Sequence, residues 1–338
     1  MRRIAVSLMP LLALSLVGPA AVGVSATGAR AQHGNQARLA ARVAITYHHD
    51  FSRRESLRRH PQWPLRVMHV RDAWSTSRGR GVVVAVVDSG AGPNRELNGQ
   101  LVPGVNLASP PPPRIDIFDH GTAVASIIAA RADGRGIVGV APLAKVMPVR
   151  IFDDWTAPAR RLVRGIRWAV NHHADVINLS LVNRDVPILR SAVRYALDHG
   201  VVVVAGSGND RASGSPAQYP AAYRGVIAVG AVNPSLELAA YSNEGDYVDV
   251  VAPGSRVLAS DPFGTLSWYW GTSFSTPQVS GVVALMLAAN PRLRPAQVQR
   301  ILQDTAVDLG DPGKDKLYGY GLVDAPAAVR AARAMRVG

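Results

Sequence analysis

An α/β fold is expected: a three-layer sandwich with a mostly parallel central sheet and helices on both faces. Three observations predict it. Continuous β-branched runs recur along the chain, as strands buried on both faces require. Helical stretches alternate with those runs, the pattern of crossover units covering a parallel sheet. The composition, 48% hydrophobic and 18% charged, supports a sizeable core and excludes global disorder. At 338 residues, one large domain with small additions is enough.

The elements follow in order. Residues 1–31 read as a secretory signal peptide: a basic "MRR", an apolar stretch from Ile4 to Val24, then small residues. Pro10, Gly18 and Pro19 interrupt the apolar stretch, which favours a cleaved signal over an anchor. Cleavage fits after Ala26 ("VSA") or Ala31 ("ARA"). Residues 32–63 are polar and basic, an N-terminal extension or short pro-segment. From residue 64 to 338 a single catalytic domain is expected. Its strands are "GVVVAVVD" (81–88), "AKVMPVRI" (144–151), "ADVINLSL" (174–181), "GVVVVAG" (200–206) and "GVIAVGAV" (225–232). Between them lie the helical stretches "GTAVASIIAARA", "PARRLVRGIRWAVNHH" and "VPILRSAVRYALDHG", the last stopped by Gly200. Helices at 274–289, 295–305 and 324–335 close the chain, and "SPPPPR" (109–114) is a stiff loop.

The chain lacks cysteine, which excludes disulfides, a thiolate nucleophile and a Cys-based metal site. Formal charge is +13. A basic surface can attract anionic partners, but no nucleic-acid motif accompanies the arginines, so none is expected as a partner. No second apolar run could hold the chain in a membrane once the signal is removed, and a monomer is expected.

In an open parallel sheet the site lies beyond the carboxyl ends of the strands. Four residues stand there or at helix starts. Asp88 closes the first buried strand in "VVDSG"; it could simply cap a turn. His120 opens a helix in "DHGTAVASI"; it could be a helix-end histidine bonded to backbone. Asn209 in "AGSGND" suits ordinary turn chemistry. Ser273 in "GTSFSTP" heads an apolar helix, where serine is a common cap. Together they form a complete kit. A hydroxyl needs a base, histidine is the usual one near neutral pH, and a buried carboxylate orients it. The Asn209 amide and the Ser273 N–H can meet an oxyanion.

On the motifs "VAVVDSG", "HGTAVASI", "GTSFSTP" and "AGSGND" the chain resembles the subtilisin-type serine proteases, which share its Asp, His, Ser order. "GVAP" (139–142), "DVINLSL" and "YPAAYRGVIAVGAV" are similar to the family as well. The resemblance implies a subtilisin-like fold and peptide-bond hydrolysis through an acyl-enzyme, with protein or peptide substrates. Asp88, His120 and Ser273 would form the triad, with Asn209 in the oxyanion hole. Ser180, Leu181 and Val182 would lie beside the substrate backbone. Gly206, Ser207 and Gly208 would form the opposite rim of the first specificity pocket, and Gln218 its floor. No cofactor is required for catalysis. Structural calcium occurs in the family; here Asp133 alone argues weakly for it, since the ion wants about six to eight oxygens.

The chain also departs from the pattern. Val182 stands where the family has glycine and Gln218 where glycine is familiar, which implies a narrowed, partly polar pocket. "FDDWTAPA" (152–159) replaces a Gly-rich backbone-binding stretch, and Trp155 could cover the groove. Residues 32–62 are too few for the family's folded pro-domain. Two other classes compete. A catalytically silent relative would act as a binding or assembly protein. An α/β-hydrolase esterase would need a G-x-S-x-G elbow and the order Ser, Asp, His, and this chain has neither.

Overall fold

A computed structural model describes residues 40–42, 62–108, 116, 119–153 and 156–336. The expected signal segment, most of the expected extension, the 109–114 loop and Trp155 lie outside those residues. In chain order the elements begin with strand β1 (Ala40–Arg42) and two short helices, α1 (Trp63–Val67) and α2 (Val70–Ala73). Next come β2 (Val83–Asp88), β3 (Val105–Asn106), α3 (His120–Ala129), β4 (Lys145–Arg150), β5 (Thr156–Pro158) and α4 (Ala159–Asn171). Then follow β6 (Val176–Leu179), α5 (Pro187–Asp198), β7 (Val202–Gly206), β8 (Ile227–Val232) and β9 (Val250–Pro253). A hairpin of β10 (Val257–Ser260) and β11 (Leu266–Tyr269) leads to α6 (Thr272–Ala289), α7 (Pro295–Thr305) and α8 (Ala325–Ala334).

The central sheet has seven strands in the order β3-β4-β2-β6-β7-β8-β9, and its paired strands run parallel. Side chains alternate across it because the strand period is two. Val84 and Val86 enter one core with α3, α6, α7 and α8, while Ala85 and Val87 enter the other with α4 and α5. Burial on both faces explains why these strands read as unbroken apolar runs.

The five long strands and six long helices read from the sequence are present. Helix α4 begins one residue later than read, because Thr156–Pro158 form β5. The antiparallel partner of β5 is β1, three residues of the basic extension. Two residues before the expected boundary at 64 also contact the body of the fold. Gln62 exchanges hydrogen bonds with Val138, and the Trp63 indole N–H donates to the carbonyls of Ser255 and Arg256. The hairpin β10–β11 was not legible as strands. Its turn is built by the Asp261 carboxylate, which accepts the N–H groups of Phe263 and Thr265. The hairpin packs between the two helix heads that matter below: Val257, Ala259 and Tyr269 share a cluster with Ala123 and Ile127 of α3 and Phe274 of α6.

Candidate active site

Asp88 is the last residue of β2, at the carboxyl end of the sheet, and is fully buried. Its Oδ1 accepts the Ser89 N–H at 2.7 Å and the His120 Nδ1–H at 2.8 Å. An ionised carboxylate only accepts, so the proton lies on Nδ1 and Nε2 keeps its lone pair. Nε2 is buried and, among the described residues, has no hydrogen-bond partner. His120 is thus arranged as an oriented base with a free lone pair.

His120 is the first residue of α3, and the first N–H groups of a helix have no intrahelical acceptor. Ser89 Oγ accepts the Gly121 N–H at 2.9 Å, and Asp116 Oδ2 accepts the Thr122 N–H at 2.8 Å. Gly121 is required here: a Cβ would lie 1.9 Å from the Gly90 carbonyl oxygen. Helix α3 can therefore approach the exit of β2 closely enough for the Asp88–His120 contact.

Ser273 is the second residue of α6 and is buried. Its own N–H belongs to the unpaired first turn, where the helix dipole favours negative charge. Helix α6 starts at Thr272, so Pro277 lies in its second turn. A residue there would normally donate to the Ser273 carbonyl four positions back, and proline has no N–H to give. The carbonyl is taken instead by Ser180 Oγ at 2.8 Å. Ser273 Oγ in turn donates to the Ser180 carbonyl at 3.2 Å. In this resting geometry the hydroxyl is held by the β6 end rather than by His120. The His120 ring lies 5.3 Å from the ring of Phe274, the residue after the serine. Catalytic hydrogen bonds are often unformed without substrate.

Asn209 Oδ1 accepts the Thr272 N–H at 2.9 Å, which assigns the amide and leaves Nδ2 as the donor. The Gly208 N–H donates to Thr272 Oγ1 at 3.3 Å, and Gly208 has φ +109. Asn209 is therefore tied to the residue before Ser273 by its own side chain and through its neighbour Gly208.

The expected pocket residues separate into two groups. Ser180, Leu181, Gly206 and Ser207 are buried; Val182 and Gln218 are half-exposed. Gln218 donates to Asp210 Oδ2 at 2.9 Å, and a Cβ on Gly208 would sit 2.7 Å from Gln218 Cγ. Asn183 and Tyr219 bridge backbone to backbone beside Val182.

The site has an acidic surround. Burial pushes the Tyr269 hydroxyl pKa far up, and the charges of Asp119, Asp261 and Asp116 add to that. Arg150 pairs in register with Asp88; burial lowers its pKa while Asp153 and Asp116 oppose the effect. Among the described residues no group of three His, Cys, Asp or Glu side chains is placed to hold a metal ion. Asp133 instead accepts the Arg135 N–H within a turn.

Ser89, Asp116 and Thr122 were missed by sequence reasoning. Asp119 directly precedes His120. Asp119 occupies the N-cap with φ 62 and makes no side-chain cap bond; Asp116, three residues earlier, does that work.

The subtilase family model matches residues 79–321. Minor extracellular protease Epr of Bacillus subtilis (strain 168) is 36% identical over 269 residues, 78% of this chain and 41% of Epr. Subtilisin E of the same organism is 39% identical over 261 residues, 75% of this chain and 66% of that protein. The crystal structure of fervidolysin from Fervidobacterium pennivorans, described as a keratinolytic enzyme related to subtilisin, superposes with a TM-score of 0.72. It is 34% identical and covers 79% of this chain and 45% of fervidolysin. The chain thus spans about two fifths of Epr and less than half of fervidolysin.

Proposed function

Because this chain belongs to the subtilase family, we propose that it is a serine-type endopeptidase acting through an acyl-enzyme. The observation that carries the reading is the Asp88–His120 bond at 2.8 Å, which leaves Nε2 unpartnered beside the head of the serine helix. Substrate binding turns Ser273 Oγ from the Ser180 carbonyl towards His120. Nε2 takes the hydroxyl proton as Oγ bonds to the substrate carbonyl carbon. The oxyanion that forms meets the Ser273 N–H and Asn209 Nδ2. Breaking of the C–N bond transfers the proton from His120 to the leaving amine. Water then attacks the ester with His120 again as base, and Ser273 leaves with its proton restored. Side chains and backbone alone carry these steps.

The specificity pocket is read as narrowed. Val182 stands on one rim, and on the other Gln218 packs on Gly208 while bonded to Asp210. Small or slender side chains before the cut are the expected substrates. Secretion is supported by the composition of residues 1–31 and by the extracellular naming of Epr. Residues 32–63 are read as an extension or short pro-segment, and β1, from that stretch, lies along β5. Among the described residues no helix is long and apolar enough to cross a membrane, and the working form is proposed to be a monomer.

The reading is tested by labelling protein beginning at residue 32 with a fluorophosphonate, beside Ser273→Ala. A label that is lost in the variant alone is expected. Folded protein that takes no label, even after removal of residues 32–62, would instead favour a silent binding protein.

A further inference from the structure

Asp116 is outside the triad and bonds to residues that stand beside the Asp88–His120 pair, Ser89 and Thr122. It is 3% exposed. Oδ1 accepts from Ser89 Oγ at 2.8 Å. Oδ2 accepts the Thr122 N–H at 2.8 Å and Thr122 Oγ1 at 2.5 Å. The two partners carry the contacts further: Ser89 Oγ accepts the Gly121 N–H, and Thr122 Oγ1 accepts the Gly92 N–H at 3.0 Å. Ser89 follows Asp88 and Gly121 follows His120. The carboxylate therefore closes a ring that joins the exit of β2 to the first turn of α3.

We infer that Asp116 is a positioning residue that fixes the separation and orientation of the Asp88–His120 pair by capping α3 from outside the helix. The inference rests on the serine-peptidase reading of that pair. Three features of the geometry carry it. The residue in the N-cap position, Asp119, makes no side-chain cap bond, so the helix head depends on Ser89 and Asp116. Both oxygens of Asp116 are used, one on each side of the gap. Each arm ends within one or two residues of the pair: Ser89 beside Asp88, and Thr122 two beyond His120. A shift of either arm lengthens the 2.8 Å contact. His120 would then lose the carboxylate that stabilises its charged form.

The test is kinetic and is normalised to active serine. Asp116→Ala, Asp116→Asn and Ser89→Ala are compared with wild type on a neutral peptide substrate. Active sites are counted by exhaustive fluorophosphonate labelling. Asp116→Ala is expected to lower kcat on the order of 10²-fold with KM changed little, within the range a positioned base contributes. The acid limb of the kcat/KM profile is expected to move to lower pH, because the imidazolium loses stabilisation. The titratable groups around His120 are Asp88 on β2, Asp116 and Asp119 before α3, Arg150 on β4, and Tyr269 and Asp261 in the hairpin. All but Asp116 are unchanged in the variant. Asp116→Asn keeps the shape and one accepting oxygen but turns the other into a donor, so it is expected to recover part of the lost rate. If Asp116→Ala does not fold, Ser89→Ala carries the test, since it cuts the same ring with a small buried change; a drop of about tenfold with the same pH shift is expected. Folded variants with wild-type kcat per labelled serine and an unmoved acid limb would overturn the inference. Wild-type protein that neither labels nor cleaves would overturn the peptidase reading itself, a separate outcome.

Discussion

His120 and Ser273 both stand in the first turn of a buried helix, yet the two helix heads are completed by different means. At α3 the orphan N–H groups are met by side chains from elsewhere, Ser89 Oγ and Asp116 Oδ2. At α6 neutral side chains do this work, beside a missing backbone donor. Pro277 withholds an N–H, Ser180 takes the freed Ser273 carbonyl, and Asn209 holds the Thr272 N–H. The base side therefore depends on a buried carboxylate network, which fails as a unit when one member is lost. The serine side depends on single neutral hydrogen bonds from Ser180 and Asn209.

Asn209 offers the largest way to sharpen the contrast. Asn209→Ala removes an oxyanion donor and is expected to cost kcat about 10²–10³-fold, roughly 3 kcal/mol. The acid limb of the pH profile should stay in place, because the base side is untouched. A moved limb would mean that the two halves are coupled.

Next in size is the pocket. Val182→Gly is expected to raise kcat/KM about tenfold for peptides with a large aromatic residue before the cut, with small residues little affected. Equal rates for both peptide classes in wild type would remove the narrowed pocket from the account.

Pro277→Ala would break the serine side if backbone pairing sets it. The new N–H competes with Ser180 Oγ for the Ser273 carbonyl. We expect kcat to fall several-fold, since small displacements of reacting groups are costly, while Tm does not fall because a helical hydrogen bond is gained. An unchanged kcat would show that the partner of this carbonyl is immaterial.

The smallest effect serves as a control remote from both heads. Burial raises the pKa of Asp249, against hydrogen bonds from Ala228, Gln303 and Gln299 that lower it. A carboxyl raised in the folded state favours the protonated fold, so its contribution is complete below the unfolded value of about 3.9 and is lost as pH rises through the folded value. Asp249→Asn should therefore lose less stability than wild type as pH rises through that window, with kcat per labelled serine unchanged. A Tm difference that stays flat between pH 3 and 7 would remove the effect.

Much of this was legible in the order of residues. The strand β2 announces itself because both faces are buried, so no polar residue interrupts it before Asp88. The close of α5 is marked by Gly200 at φ +81. The hairpin β10–β11 was harder: its strands have four residues each, and the turn between them is closed by one carboxylate rather than by an Asn-Gly signature. At the α3 head the N–H of Thr122 is met by Asp116, six positions back, which no local motif marks.

The sequence by itself determined the alternation of strands and helices, the side chains that could react, and their place at strand ends and helix starts. Those follow from period, chain stiffness and residue chemistry, which are local. Tertiary structure alone decided which polar groups meet. Asp88 and His120 are 32 positions apart, and Ser180 and Ser273 are 93 apart. A buried donor must find an acceptor wherever packing brings one, and that choice belongs to the folded chain, whose contacts no short stretch encodes.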